Sequence, residues 1–253
     1  MKVTLLQTDI KCEDQEVNIR NAQSLMDKAD PSDLYVLPEM WDTGFTMRPD
    51  AITEAKGLSW MVEMAQKRNV ALCGSLIARS DDQSFRNRCY FVHPDGNVDY
   101  YDKRHLFKFG GEAKAYKAGN SQKIVNYKGF RIFLATCYDL RFPVWLRNAE
   151  TYDVLLVVAN WPSSRQGVWQ VLSAARAIEN QCYVVACNRV GEDPVGRYMG
   201  GSRIVDAKGL TVAEGSTTGE QSITGSLDLE ALSEFRKKFR VLSDRDDFYI
   251  NNE

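Results

Sequence analysis

The sequence predicts a layered α/β fold. Three observations carry that expectation. Several apolar runs of strand length are nearly continuous, among them 34–37, 153–160 and 182–187. Such runs belong to sheets covered on both faces. Segments of helical spacing separate them, and hairpin signals are mixed in. Together these favour layered α/β over a purely doubly wound sheet.

The elements follow in order. Residues 3–10, VTLLQTDI, read as a strand, and Asn18 to Lys28 carries helical spacing. LYVLPEM is a buried strand running into Pro38. Ile52 to Arg68 reads as a helix, and ALCGSLIAR at 71–79 as a strand. Residues 87–105 form a hairpin, because Pro94-Asp95-Gly96 supplies turn chemistry between two strand-like runs. GFRIFLATCYD (129–139) is a strand, VWLRNAE (144–150) a helical segment and DVLLVVANW (153–161) a continuous apolar strand. Trp169 to Asn180 is a helix, and CYVVACNRVG (182–191) is buried strand. Residues 202–215 turn at Lys208-Gly209, SITGSLDL (222–229) ends the sheet region, and Leu229 to Phe239 closes as a helix. No linker, low-complexity tract or repeat interrupts residues 1–253, so one domain is expected.

Composition excludes several function classes. The chain is 44% hydrophobic and 26% charged, with a formal net charge of −2 and no basic stripe. Neither nucleic acid nor an anionic membrane finds a surface here. The apolar run of MKVTLLQTDIKCED is too short for a signal peptide or a membrane span, so a cytoplasmic location is expected. Six cysteines without a C-x-x-C pair, and only two histidines, argue against a zinc site and against disulfides. Most of the thiols are expected to be small buried hydrophobes.

Three separated stretches each offer a reactive side chain at or near a strand end, where α/β proteins place their chemistry. Cys137 follows FRIFLAT and precedes YDLRFP. A nucleophile on a sharp strand-to-helix turn has free backbone N–H groups beside it, and the helix start would favour thiolate. A buried core cysteine is the competing reading. Glu39, in VLPEM, would be a general base if partly buried, or else an exposed loop glutamate. Lys103, in YDKRH, could stabilise an oxyanion, although Lys103, Arg104 and Lys108 also resemble any solvated charged segment. Glu112, in a glycine-rich loop, is a second carboxylate. His93 and His105 are the alternatives for a Cys–His dyad.

LPEM, YDKRHLF and CYDLRFP together resemble the nitrilase superfamily of carbon–nitrogen hydrolases, and RAIENQCYVVACNRVG and GGSRIVDAKG are similar to its later strands. The VANWP stretch and the length look most like its ω-amidase (2-oxoglutaramate amidase) branch, in the bacterial form. The resemblance implies a four-layer α-β-β-α sandwich, a Glu–Lys–Cys triad and neither metal nor organic cofactor. It makes Glu39 the base, Lys103 the oxyanion stabiliser, Cys137 the nucleophile and Glu112 the supporting glutamate. It also suggests a homodimer packed near the active site. The expected reaction is hydrolysis of a small ω-amide through a thioester, with the Tyr138 N–H completing the oxyanion hole. Arg141 is the candidate for the substrate's far carboxylate, unless it pairs with Asp139, and Trp161 is a candidate pocket wall. Other readings stay open: hydrolysis of another small amide or a nitrile within the same superfamily, a non-catalytic binding or assembly protein that keeps the fold, and a redox-sensing thiol at Cys137.

Overall fold

The computed structural model describes residues 1–250 apart from Thr53 and Glu150. Two six-stranded mixed sheets lie face to face. The first has the order β14-β1-β2-β3-β4-β5 and the second β13-β12-β9-β8-β7-β6. In the first sheet the strands are β1 (Lys2–Gln7), β2 (Leu34–Val36), β3 (Ala71–Arg79), β4 (Phe85–Val92), β5 (Val98–Asp102) and β14 (Gln221–Ser226). In the second they are β6 (Ile124–Tyr127), β7 (Phe130–Thr136), β8 (Val154–Ala159), β9 (Tyr183–Asn188), β12 (Arg203–Val205) and β13 (Thr211–Glu214). A small hairpin of β10 (Val190–Asp193) and β11 (Gly196–Met199) stands apart.

Alternation along the strands sorts side chains between two cores. Val3 and Leu5 of β1, Leu34 and Val36 of β2, and Cys89 and Phe91 of β4 face the second sheet. Leu6, Tyr35, Tyr90 and Val92 face the other way, onto helices α1 (Gln15–Lys28) and α2 (Lys56–Arg68). On the far side, α4 (Gln166–Asn180) and α5 (Leu229–Lys238) bring Trp169, Ala177 and Leu232 onto the second sheet. The result is the four-layer α-β-β-α sandwich.

The parallel pairs β1–β2–β3 and β7–β8–β9 set the site. Their carboxyl ends point to one edge of the sandwich, where Glu39, Cys137 and Asn160 follow directly. Gly74 on β3 is needed there. A Cβ at this position would lie 2.9 Å from Leu37 Cβ and from Trp41 Cδ1, so only glycine lets the Glu39 loop cross the strand.

Several predicted elements shift. The first helix begins at Gln15, because the Asp14 side chain caps it by accepting from the Val17 N–H. The second begins at Lys56, after a 3-10 turn over Pro49–Ala51; its predicted stretch from Ile52 includes Thr53, which lies outside the described residues. Residues 144–149 form turns instead of the predicted helix, whose last residue, Glu150, also lies outside the description. Pro143 disfavours helical geometry before it. Asn148 then holds the backbone instead, accepting from the Tyr152 N–H at 2.8 Å and donating to the Tyr152 and Asn180 carbonyls at 2.9 Å. The 222–229 segment ends the sheet region as expected. It returns to the first sheet as β14, antiparallel to β1.

Candidate active site

The first sheet supplies four polar residues that touch. Glu39 follows β2 and is fully buried. Ser75 of β3 pins its loop: its carbonyl accepts from the Trp41 N–H, its N–H donates to the Pro38 carbonyl, and its hydroxyl receives the Met40 N–H at 2.9 Å. Lys103 follows β5, and Glu112 opens the four-residue helix α3 (Glu112–Ala115). The Lys103 ammonium donates to Glu39 Oε1 at 2.8 Å and to Glu112 Oε1 and Oε2 at 3.0 and 2.9 Å. Asn87 of β4 donates to Glu39 Oε1 at 2.7 Å and to Glu112 Oε1 at 3.0 Å.

The second sheet supplies the thiol. Cys137 ends β7 with a left-handed φ of 46°, a conformation that non-glycine residues hold only when neighbours impose it. A five-residue 3-10 helix, Cys137–Arg141, follows instead of an α-helix. Its first N–H groups, that of Tyr138 among them, precede any internal helical bond. Asp139 fastens this turn: it accepts from the Thr136 N–H at 3.0 Å, the Tyr101 hydroxyl at 2.8 Å and the His105 N–H at 3.0 Å. Beyond β8, the Asn160 N–H donates to Glu39 Oε2 at 2.9 Å. That bond ties the second sheet to the first.

Charge balance explains the protonation of the group. Burial alone would depress the Lys103 ammonium, but Glu112 and Glu39 outweigh it and hold the group charged, above its ordinary range. Glu112 is pushed up by burial, opposed by Lys103 and reinforced by Glu39. Two carboxylates face one ammonium, so one negative charge is unmatched. Burial also drives the Cys137 thiol well above its usual range. The Glu39 carboxylate adds to this, and Lys103 opposes it without prevailing. The thiol therefore rests protonated beside Glu39. A 3-10 helix stands where a helix start was expected to favour thiolate, and burial together with the Glu39 carboxylate favours the protonated form instead.

Glu39, Lys103 and Cys137 floor a cavity of about 470 Å³ that opens to solvent. Arg141, Tyr138 and Trp161 line it, as the sequence suggested. The Arg141 guanidinium lies over the Trp161 ring, 5.4 Å from its centroid. Asp139, its suggested partner, is taken up elsewhere, and Arg141 has no ion-pair partner among the described residues. Trp161 is buried and fixed by its Nε1–H donating to the Arg165 carbonyl at 2.8 Å, with its own N–H on Asn188 Oδ1. Neither histidine joins the thiol. His105 is held by Asp139 at 2.8 Å and stacks on Phe142, and His93 pairs with Asp99.

Sequence reading missed Asn87, Asn160 and two further pocket cations, Arg165 and Arg197. Asn87 had one available signal: between Arg86 and Arg88 of β4 it shares the alternation phase of Phe85, Cys89 and Phe91, a polar side chain on the apolar face. Asn160 and Arg165 lie on the connection after β8 and Arg197 on the hairpin strand β11, whose directions only the fold sets. Cys73, Cys89, Cys182 and Cys187 are buried as expected, whereas Cys12 is exposed. Among the described residues no cluster of three His, Cys, Asp or Glu side chains is arranged to hold a metal ion, and no helix is long and apolar enough to cross a membrane.

Comparison with known proteins gives consistent matches. Residues 2–237 match the family model described as carbon-nitrogen hydrolase. The chain is 43% identical to the omega-amidase YafV of Escherichia coli (strain K12), over 99% of this chain and 98% of that one. It is 33% identical to the 2-oxoglutaramate amidase of Bacillus subtilis (strain 168), over 98% of each. A crystal structure of a CN-hydrolase superfamily protein of Xanthomonas campestris, with an arsenic adduct in its active site, superposes with a TM-score of 0.94 at 37% identity, covering 99% of both chains.

Proposed function

The chain belongs to the carbon–nitrogen hydrolase family, and within it we propose an ω-amidase that converts 2-oxoglutaramate, 2-oxosuccinamate or a similar small ω-amide to the acid and ammonia. The observation that carries this reading is the pairing of two ends of one cavity. Glu39, Lys103 and Cys137 converge on its floor, and Arg141 faces it without a partner. A guanidinium stacked on an indole suits a planar carboxylate. The relatives named omega-amidase and 2-oxoglutaramate amidase act, by name, on substrates with that carboxylate.

The cycle follows from the contacts. Glu39 takes the Cys137 proton as sulfur attacks the amide carbon, so no free thiolate has to be held in the resting site. The oxyanion is received by the Tyr138 N–H and by Lys103, whose two bonds to Glu112 can fall to one and release a donor. The C–N bond breaks, Glu39 returns the proton to nitrogen, and ammonia leaves a thioester on Cys137. Water, deprotonated by Glu39, then attacks the thioester; the C–S bond breaks, the acid leaves, and Glu39 passes the proton to the Cys137 sulfur, restoring the resting thiol. Glu112 keeps the ammonium in place through both halves.

We also propose a cytoplasmic homodimer formed by residues 1–253 as one catalytic domain. Free thiols suit a reducing compartment. Val144, Val171, Ile178 and Tyr249 are exposed apolar side chains on the α4 side of the sandwich and its C-terminal tail, and such groups seek cover. The test of function is ammonia release from a panel of 2-oxoglutaramate, neutral amides of equal length, and nitriles. Preference for the neutral amides or the nitriles would overturn the ω-amidase reading.

A further inference from the structure

Asn87 occupies an unusual place in the charge cluster. It is 1% exposed. Its single Nδ2 carries two hydrogens, and each goes to a carboxylate, Glu39 Oε1 at 2.7 Å and Glu112 Oε1 at 3.0 Å. Lys103 Nζ reaches the same two oxygens at 2.8 and 3.0 Å. The four atoms close a ring in which donors and acceptors alternate. The backbone of Asn87 takes part as well, since its carbonyl accepts the Lys103 N–H at 3.0 Å. Its Oδ1 is buried without a protein partner, so the carboxamide is anchored through its donor side alone. The reverse orientation would set Oδ1 against two carboxylates.

The ring accounts for the lone pairs of Glu39. Oε1 is engaged by two donors, whereas Oε2 accepts only from the Asn160 N–H at 2.9 Å. We infer that Asn87 is a positioning residue: it bridges the two carboxylates of the site and leaves Glu39 Oε2 as the oxygen that exchanges a proton with Cys137 and with the departing nitrogen. This rests on the proposed role of Glu39 as base.

The other ionisable groups nearby do not substitute for it. Cys137 faces Glu39 from the end of β7. Tyr116, after α3, turns its hydroxyl to the Thr46 carbonyl at 2.7 Å. Tyr198 of β11 directs its hydroxyl to Asp193 at 3.3 Å. Glu13 is engaged by Thr46 and Arg48. Lys103 is the only cation on the ring, so losing the Asn87 donors leaves the two carboxylates to one ammonium and to single backbone N–H groups, of Asn160 on Glu39 Oε2 and of Phe107 on Glu112 Oε2. Both ionised forms become less favourable. The acid limb of the activity profile then moves to higher pH, because Glu39 must be ionised to act.

The test uses Asn87→Asp and Asn87→Leu in the full chain, with two readouts. One is the pH dependence of Cys137 alkylation by iodoacetamide, which needs no substrate; the other is the pH profile of kcat and kcat/KM for 2-oxoglutaramate. Thermal melts accompany both. In Asn87→Leu the acid-limb midpoint is expected to rise by about one unit, with kcat changed more than KM. Asn87→Asp matches the native shape but sets acceptor against acceptors, so its midpoint should rise further. A role in packing alone would reverse that order, leaving Asn87→Asp near wild type. That result, or unshifted midpoints in both variants, overturns the inference. If both variants misfold, Asn87→Ser retains one donor and should shift by less than one unit; an unshifted Asn87→Ser would overturn the inference equally. Wild-type alkylation with the expected profile but no ammonia release would sink the substrate reading while leaving the role of Asn87 standing.

Discussion

The two sheets contribute unlike halves of the site. The first brings Glu39, Asn87, Lys103 and Glu112, all buried and bonded to one another. The second brings Cys137, the Tyr138 N–H, Arg141 and Trp161, which line the cavity and leave their reactive groups open to it. One half is a closed cluster of two carboxyls, an ammonium and an amide; the other, on the proposed function, supplies the nucleophile and the binding wall. The Asn160 N–H on Glu39 Oε2, and the Tyr101 hydroxyl and His105 N–H on Asp139, link the layers by hydrogen bonds. The difference teaches that the chemistry depends on sheet packing as much as on either set of residues. The inner core that fixes the distance between layers is therefore part of the catalytic apparatus.

The sharpest way to break the comparison is to remove a group from each half. Cys137→Ala should abolish ammonia release with a melting temperature close to wild type, since it deletes one partly exposed sulfur. Glu39→Gln should lower kcat by about 10²–10⁴-fold, the usual contribution of a general base. Retained turnover with a normal melt in either variant would show that the halves had been misassigned.

Lys103→Met tests the closed half as structure. It leaves two buried carboxylates with no counter-ion, which should cost about 3–5 kcal/mol of stability near neutral pH. The variant should recover at acid pH. Carboxyls whose folded pKa is raised contribute stability that is present below their unfolded value and lost as pH rises through the folded one. Urea unfolding at pH 5 and pH 8 measures this, and an equal loss at both would contradict the charge account.

The Glu39 loop has its own anchor on the helix side. Asp42 is buried, accepts from the Gln15 side chain at 2.7 Å, and is pushed up to about 6 by burial. Its stabilising effect is thus complete below the ordinary aspartate range and fades as pH rises to about 6, an effect of about 3 kcal/mol. Unfolding of Asp42→Asn should lack that dependence. A wild-type slope unchanged in the variant would assign the titration to another group.

The mildest change sharpens the open half. Arg141→Lys keeps a charge but loses the planar fork, so kcat/KM for 2-oxoglutaramate should fall by about ten-fold while a neutral amide changes little. Equal losses on both substrates would make Arg141 structural.

Much of this was legible before folding. Glu39, Lys103 and Cys137 each stood at the end of an apolar strand, and strand ends place side chains at the edge of a sheet whatever the other layers do. Glu112 was readable only through its companions, because a glutamate in a glycine-rich loop is by itself unremarkable; its burial comes from Lys103. The 144–149 segment misled because its helical spacing is real, yet Asn148 captures the backbone of a residue and a helix far along the chain.

By itself, then, the sequence determined the strands, the alternation that divides inner from outer core, and the three reactive positions. These depend on local geometry and on the residues' own polarity. The tertiary structure alone decided that Cys137 remains a thiol, that Asp139 serves its own turn and so leaves Arg141 unpaired, and that Asn87 joins two glutamates 25 residues or more away. Each of these is a matter of which charges share a buried space. No local pattern carries that information, because Coulomb energy and desolvation depend on distances that exist only once the sheets have packed.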